Sequence, residues 1–191
     1  MSQSSIMNLV VQKASERELQ IELKSNLSIL GAAYAHPKDE YIVFSEFPIS
    51  HGNVDFIVFT GRSRMDIILI EVKGANFNFL NSDDTIAADI NIAVQQVRER
   101  FYEIQRNYES FRRDAHDIRK AVEGGEQRYN STLGSYGCLL VDSEKDIDIW
   151  GVVIGGRTQN DSHESRTRHQ FEMSTPRIML ESWDSWIRKH L

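Results

Sequence analysis

Asp55, Glu71 and Lys73 are the residues whose types and spacing could do chemistry, because each stands at an end of an apolar run. The runs are 54–59 (V-D-F-I-V-F) and 67–73 (I-I-L-I-E-V-K), joined by the short segment 60–66. Runs of β-branched and aromatic residues bounded by Gly, Ser, Asn and Asp predict buried strands, and a short polar link between two of them predicts a hairpin. A charge at the end of such a strand is costly unless something partners it. Side chains alternate along a strand, so Glu71 and Lys73 share one face and Val72 takes the other. A hairpin centred on Ser63 sets Asp55 opposite Glu71 on that same face. Two carboxylates and an ammonium then converge at one rim of a sheet. They form either a metal site with a catalytic base or a buried salt bridge.

Hard divalent cations such as magnesium, with manganese as a substitute, prefer oxygen donors. Asp55 and Glu71 supply two, the Val72 carbonyl could supply a third, and Glu16 on a packed helix could reach the same rim. A cation so held polarises a phosphoryl oxygen and acidifies its water. Lys73, two residues from Glu71, would stand by the attacking water as proton acceptor or electrostatic stabiliser. The set serves phosphodiester hydrolysis. It does not suit acyl transfer, since no activated Ser or Cys lies beside a His. Against this, Glu-x-Lys recurs by chance and most such pairs are solvated, so spacing alone leaves catalysis and a structural ion pair level.

The elements that must position these groups follow from periodicity and punctuation. Ser15 with Glu18 three residues on makes a capping box, and Leu19, Leu23, Leu27 and Leu30 form a helical stripe, predicting a helix over 15–30. Glu16 falls on that inward stripe, whereas Glu18 and Glu22 face out. Residues 41–47 read as a strand paired with 54–59 across a turn at 48–53. A loop, 74–83, starts at Gly74, which permits close approach. Ser82, Asp83 or Asp84 caps a helix from about Thr85 to at least Tyr108 and as far as Val122, ended by Gly124–Gly125. Residues 126–135 read as a polar loop, 136–141 and 149–154 as strands, 164–171 as a short helix and 177–180 as a last strand. Ser182 caps a closing helix carrying Trp183 and Trp186, which read as core. The order predicts one α/β domain over 1–191, a mixed central sheet flanked by helices, with 1–14 as an N-terminal extension.

The chain has 191 residues, 40% of them hydrophobic and 26% charged, which excludes wholesale disorder. No apolar stretch is long enough to span a bilayer. The start lacks the pattern of a secretory signal, and one cysteine, Cys138, cannot form an internal disulfide, so a reducing cytoplasm is expected. The six histidines lack zinc-ligand spacing with that cysteine. A net charge of −6 argues mildly against nucleic acid as partner. Positive residues nevertheless gather on 98–120, where Arg98 is a candidate contact to a nucleic-acid backbone. The tryptophans and the long helix could serve a homo-oligomer or simply the core.

Asp55, the apolar strand and Glu71-Val72-Lys73 resemble the PD-(D/E)xK nuclease superfamily, whose restriction-endonuclease-like core is αβββαβ with the site on the central hairpin. The segment Glu16-Arg17-Glu18-Leu19-Gln20, with Leu23, Asn26 and Leu30, resembles the nuclease domain of the Shedu anti-phage defence proteins, as does the ending Ile178–Asp184. That resemblance implies a magnesium-dependent DNA endonuclease in defence against phage. It implies Asp55, Glu71, Val72 and Glu16 at the metal, Lys73 on the water, and a supporting glutamine in Ala93-Val94-Gln95-Gln96-Val97. Gln96 is the better match there and Gln95 the second. Shedu proteins commonly carry further domains before this one, so the chain is expected to be a minimal member or an excised domain. A non-catalytic DNA-end or protein-binding module on the same scaffold is the alternative.

Overall fold

A computed structural model describes residues 2–191. Among these, the elements run α1 (Ser2–Val11), α2 (Glu16–Ser25), α3 (Ser28–Tyr34), β1 (Tyr41–Ile49), β2 (Gly52–Thr60), β3 (Asp66–Val72), α4 (Ala88–Arg106) and α5 (Tyr108–Glu123). They continue with β4 (Asn130–Leu133), β5 (Asp148–Ile154), α6 (Asp161–Ser174), β6 (Ile178–Glu181) and α7 (Trp183–His190). Six strands form one sheet in the order β4-β1-β2-β3-β5-β6. β4, β1, β2 and β3 pair antiparallel, whereas β3, β5 and β6 run parallel. This is a mixed α/β fold, a sheet covered by helices on both faces, consistent with a restriction-endonuclease-like core.

Alternation assigns the two faces. Phe56, Val58, Ile68, Ile70, Val72, Val152 and Ile154 pack with Ile6 and Val10 of α1, Leu19 and Leu23 of α2, and Trp183 and Trp186 of α7. On the other face Ile57, Phe59, Ile67 and Leu69 meet α5 and the end of α4, and Val153 and Leu180 meet Ile90, Ala93, Val94 and Val97 of α4. Residues 126–135 were expected as loop but hold the edge strand β4, and 136–141 form no strand. A sheet edge needs little burial, so polar Asn130–Leu133 serve there, with the Asn130 amide donating to Ser45 Oγ at 3.0 Å. The apolar 136–141 segment instead tucks Leu139 under α5, where its N–H donates to Glu123 Oε1 at 2.7 Å.

The expected helices also divide. The leucine stripe is buried as read, yet α2 ends at Ser25 and α3 restarts at Ser28. Here Asn26 leaves helical geometry (φ −146°, ψ 67°), as Asn107 does between α4 and α5 (φ −126°, ψ 34°). Asparagine readily leaves the helix by competing for backbone hydrogen bonds. α4 begins at Ala88, not Thr85, because Asp83 spends its carboxylate on the amide and hydroxyl of Thr85. The β1–β2 turn is tighter than expected, with only Ser50 and His51 between the strands. The capping box, the cap at Ser182 and the stop stand: Ser15 and Ser182 cap α2 and α7, and α5 ends at Gly124.

Candidate active site

The β2–β3 hairpin folds about Ser63 in the anticipated register, Phe56 against Ile70 through Thr60 against Asp66. Beyond Phe56 the ladder is completed by a side chain. The Val72 amide donates to Asp55 Oδ2 at 2.8 Å, so Asp55 takes the place a β2 carbonyl would otherwise hold. Its β1 neighbour in register, Glu46, has a positive φ of 53° and drops out of the pairing. Asp55 is therefore fixed by the backbone of the strand that carries Glu71.

Glu71 lies on the α4 side of the sheet and is only 3% exposed. Burial, then the charge of Asp55 and a hydrogen bond between the two carboxyl groups, push its pKa up to about 9, while Lys73 and Arg100 pull the other way. Glu71 therefore keeps its proton at neutral pH, because a second charge beside Asp55 is costly without a cation.

Lys73 is 9% exposed, and its main chain is pinned on two sides. Its N–H donates to Ile154 O at 2.7 Å, and its carbonyl accepts from the Trp183 indole at 2.8 Å. The ammonium reaches across the rim to Glu16, with Nζ 3.3 Å from each carboxylate oxygen, and Gln20 Nε2 donates to the same carboxylate at 3.3 Å. Gly74 makes this approach possible. A Cβ there would sit 3.2 Å from the Glu16 amide, and the Ala75 amide donates to Ala14 O at 2.8 Å, clamping the start of α2 to the end of β3. The site thus brings together two pairs, Asp55 with Glu71 and Glu16 with Lys73, joined through the two-residue step from Glu71 to Lys73.

Gln95 and Gln96 part company on α4. Gln95 is exposed and donates to Glu99 at 3.3 Å, whereas Gln96 is partly buried with its Oε1 unpartnered. Arg98 is exposed and donates to Thr175 Oγ1 at 3.0 Å, toward the end of α6. Arg100, within the basic stretch 98–120, is a site neighbour that sequence reasoning does not single out. Its charge bears on Glu71, and the signal that finds it is its place four residues after Gln96, on the same helical stripe. A cleft of about 470 Å³ between Ser50–His51 and α4 is lined by Arg98 and Arg100. A second, of about 520 Å³, lies between the end of β1 and α5, and neither is lined by Asp55 or Glu71.

Among the described residues, no three His, Cys, Asp or Glu side chains gather as a ready metal cluster. The oxygen donors at the rim are the Asp55–Glu71 pair and the adjoining main chain of Val72, with the Glu16 carboxylate spent on Lys73. Two carboxyl groups confined together, one almost wholly desolvated, fit a hard divalent cation. Asp55 and Glu71 are the side chains that would hold it, with the Glu71 proton released.

The chain is a mixed α/β protein with two carboxyl groups and a lysine at one rim of its sheet. The sequence model of one family, Shedu protein SduA, C-terminal, matches residues 13–187. The chain belongs to that family, and membership suggests a part in defence against phage. No curated protein is significantly similar to it. No helix among the described residues is long and apolar enough to cross a membrane.

Proposed function

We propose that the chain is a divalent-cation-dependent DNA endonuclease of the PD-(D/E)xK type, acting by phosphodiester hydrolysis in anti-phage defence. The observation that carries this reading is the buried Glu71 carboxyl held against Asp55, with Lys73 two residues further on, just past the end of β3. Asp55, Glu71 and the Val72 carbonyl would hold magnesium or manganese. Such a cation, when bound, supplies Lewis acidity toward a phosphoryl oxygen and an acidified water. Lys73 Nζ orients the attacking water and offsets the negative charge that grows on the phosphoryl group. Glu16 fixes the direction of that ammonium, and Gln20 fixes Glu16. Gln96 offers a free acceptor oxygen from α4 for a water proton.

A second reading has its own support, since Lys73 already has a carboxylate partner in Glu16. On that reading the scaffold binds DNA ends or a protein without cutting. Cleavage of plasmid and linear DNA with magnesium distinguishes the two. Asp55→Ala and Lys73→Ala should each lose at least roughly 10²–10³-fold in rate while circular dichroism shows a folded chain. Unchanged cleavage in both variants overturns the proposal. A binding-only module takes up no manganese through Asp55 and Glu71 in calorimetry.

A further inference from the structure

Five arginines among the described residues are buried or half-buried: Arg100, Arg112, Arg119, Arg157 and Arg168. Four of them pair with a carboxylate: Arg112 with Glu109, Arg119 with Glu123, Arg157 with Asp184 and Arg168 with Asp161. Arg100 has no ion-pair partner within reach among those residues. Its one polar contact is a long bond from Nη2 to Asn53 O at 3.5 Å, and its Nε is buried with no acceptor. Glu71 feels the charge of Arg100 but forms no ion pair with it, and the two acids beside it on α4 are engaged elsewhere. Glu103 accepts from Ser50 Oγ and faces Arg106, and Glu99 accepts from Gln95. A half-buried guanidinium with no anion against it is incompletely compensated, and its five donors in a planar fork match a phosphate.

The backbone beneath it is shaped to hold it. The guanidinium lies on Gly52, the first residue of β2, and a Cβ at that position would stand 2.8 Å from Arg100 Cζ. Gly52 is three residues before Asp55, and Arg100 lies one turn beyond Gln96. The cleft of about 470 Å³ opens on the same group.

We propose that Arg100 is the phosphate-binding arginine of the candidate site, gripping the DNA backbone where the strand passes between the Ser50–His51 turn and α4. This assignment rests on the nuclease reading of Asp55, Glu71 and Lys73, and it adds the anion contact that those residues lack. The donors of Arg100 take non-bridging oxygens of a phosphodiester, and Gly52 lets the fork lie flat enough to do so. No covalent step is involved.

The test measures binding of a labelled DNA duplex and its single strand in EDTA over a salt series, and manganese binding by calorimetry. Arg100→Ala should weaken DNA binding about tenfold or more and lower the slope of log affinity against log salt by about one. Gly52→Ala, which keeps the charge but displaces it, should weaken binding in the same direction, and Arg100→Lys should fall between. Manganese binding should be unimpaired in Gly52→Ala and Arg100→Lys, which keep the positive charge. DNA affinity and salt slope equal to the unsubstituted chain in Arg100→Ala overturn the proposal. Should that variant not fold, equal affinity in both Arg100→Lys and Gly52→Ala does so. Weakened manganese binding with unchanged DNA binding also overturns it, marking Arg100 as part of the carboxylate site instead. If the unsubstituted chain binds DNA but cleaves none with any divalent cation, the nuclease reading fails, while the binding comparison still decides the arginine.

Discussion

The main-chain carbonyl of Lys73 accepts a hydrogen bond from the indole Nε1 of Trp183 at 2.8 Å, tying the candidate site to the start of the closing helix, 110 residues further along the chain. Trp183 is fully buried, and its own amide donates to Gly156 O at 3.0 Å. The end of β3 is therefore held by β5 on one side and by the cap of α7 on the other. Trp183→Phe should keep most of the packing but leave the Lys73 carbonyl bare, costing about 1–3 kcal/mol. Urea unfolding measures that loss. DNA cleavage should fall as well, because the ammonium hangs from the loosened backbone, and cleavage unchanged at reduced stability would limit Trp183 to the core.

Glu71→Gln separates catalysis from stability. In the metal-free chain the folded pKa of Glu71, about 9, lies above its unfolded value near 4.5. Its protonated form is thus the one the fold favours. That contribution is complete below about pH 4.5 and fades as pH rises toward about 9, at up to about 1.4 kcal/mol per pH unit. A glutamine amide cannot ionise, so the substitution should flatten this fall in metal-free thermal unfolding across that window and abolish cleavage. A scaffold held by a Glu71–Lys73 ion pair would instead lose stability at neutral pH.

Cation binding should release a proton. At pH 7 Glu71 carries one, since its pKa lies near 9, and an incoming cation displaces it. Calorimetry of manganese binding in two buffers of different ionisation enthalpy should give about one proton released per cation, with affinity rising about tenfold per pH unit below pH 9. Identical heats in the two buffers would remove the Glu71 proton from the account.

Glu181 is a structural counterpart at the end of β6. It is 5% exposed; burial raises its pKa, but hydrogen bonds from His190, Tyr34 and Lys189 outweigh that and hold it at about 2. Its folded pKa is depressed, so its contribution is complete above about pH 4.5 and is lost as pH falls toward about 2. Glu181→Gln should cost on the order of 3 kcal/mol at neutral pH. The gap between the two proteins should close in acid unfolding as pH approaches 2, with DNA cleavage at neutral pH changed far less than stability.

The sequence by itself determined what depends on neighbours along the chain. The hairpin about Ser63, the capping box at Ser15, the cap at Ser182 and the stop at Gly124 are local, because turn chemistry, alternation and cap hydrogen bonds span only a few residues. From them the alignment of Asp55 with Glu71 and the placing of Lys73 at the end of β3 could be read. The choice of Gln96 over Gln95 was legible only through resemblance, since both lie on one turn of α4 and burial alone separates them. Only the tertiary structure decided which polar segment closed the sheet edge, that Glu16 meets Lys73 and not the carboxylate pair, and that Arg100 is left without an anion. Those outcomes depend on which groups from distant parts of the chain are desolvated together, and the competition among partners for one buried charge is settled in three dimensions.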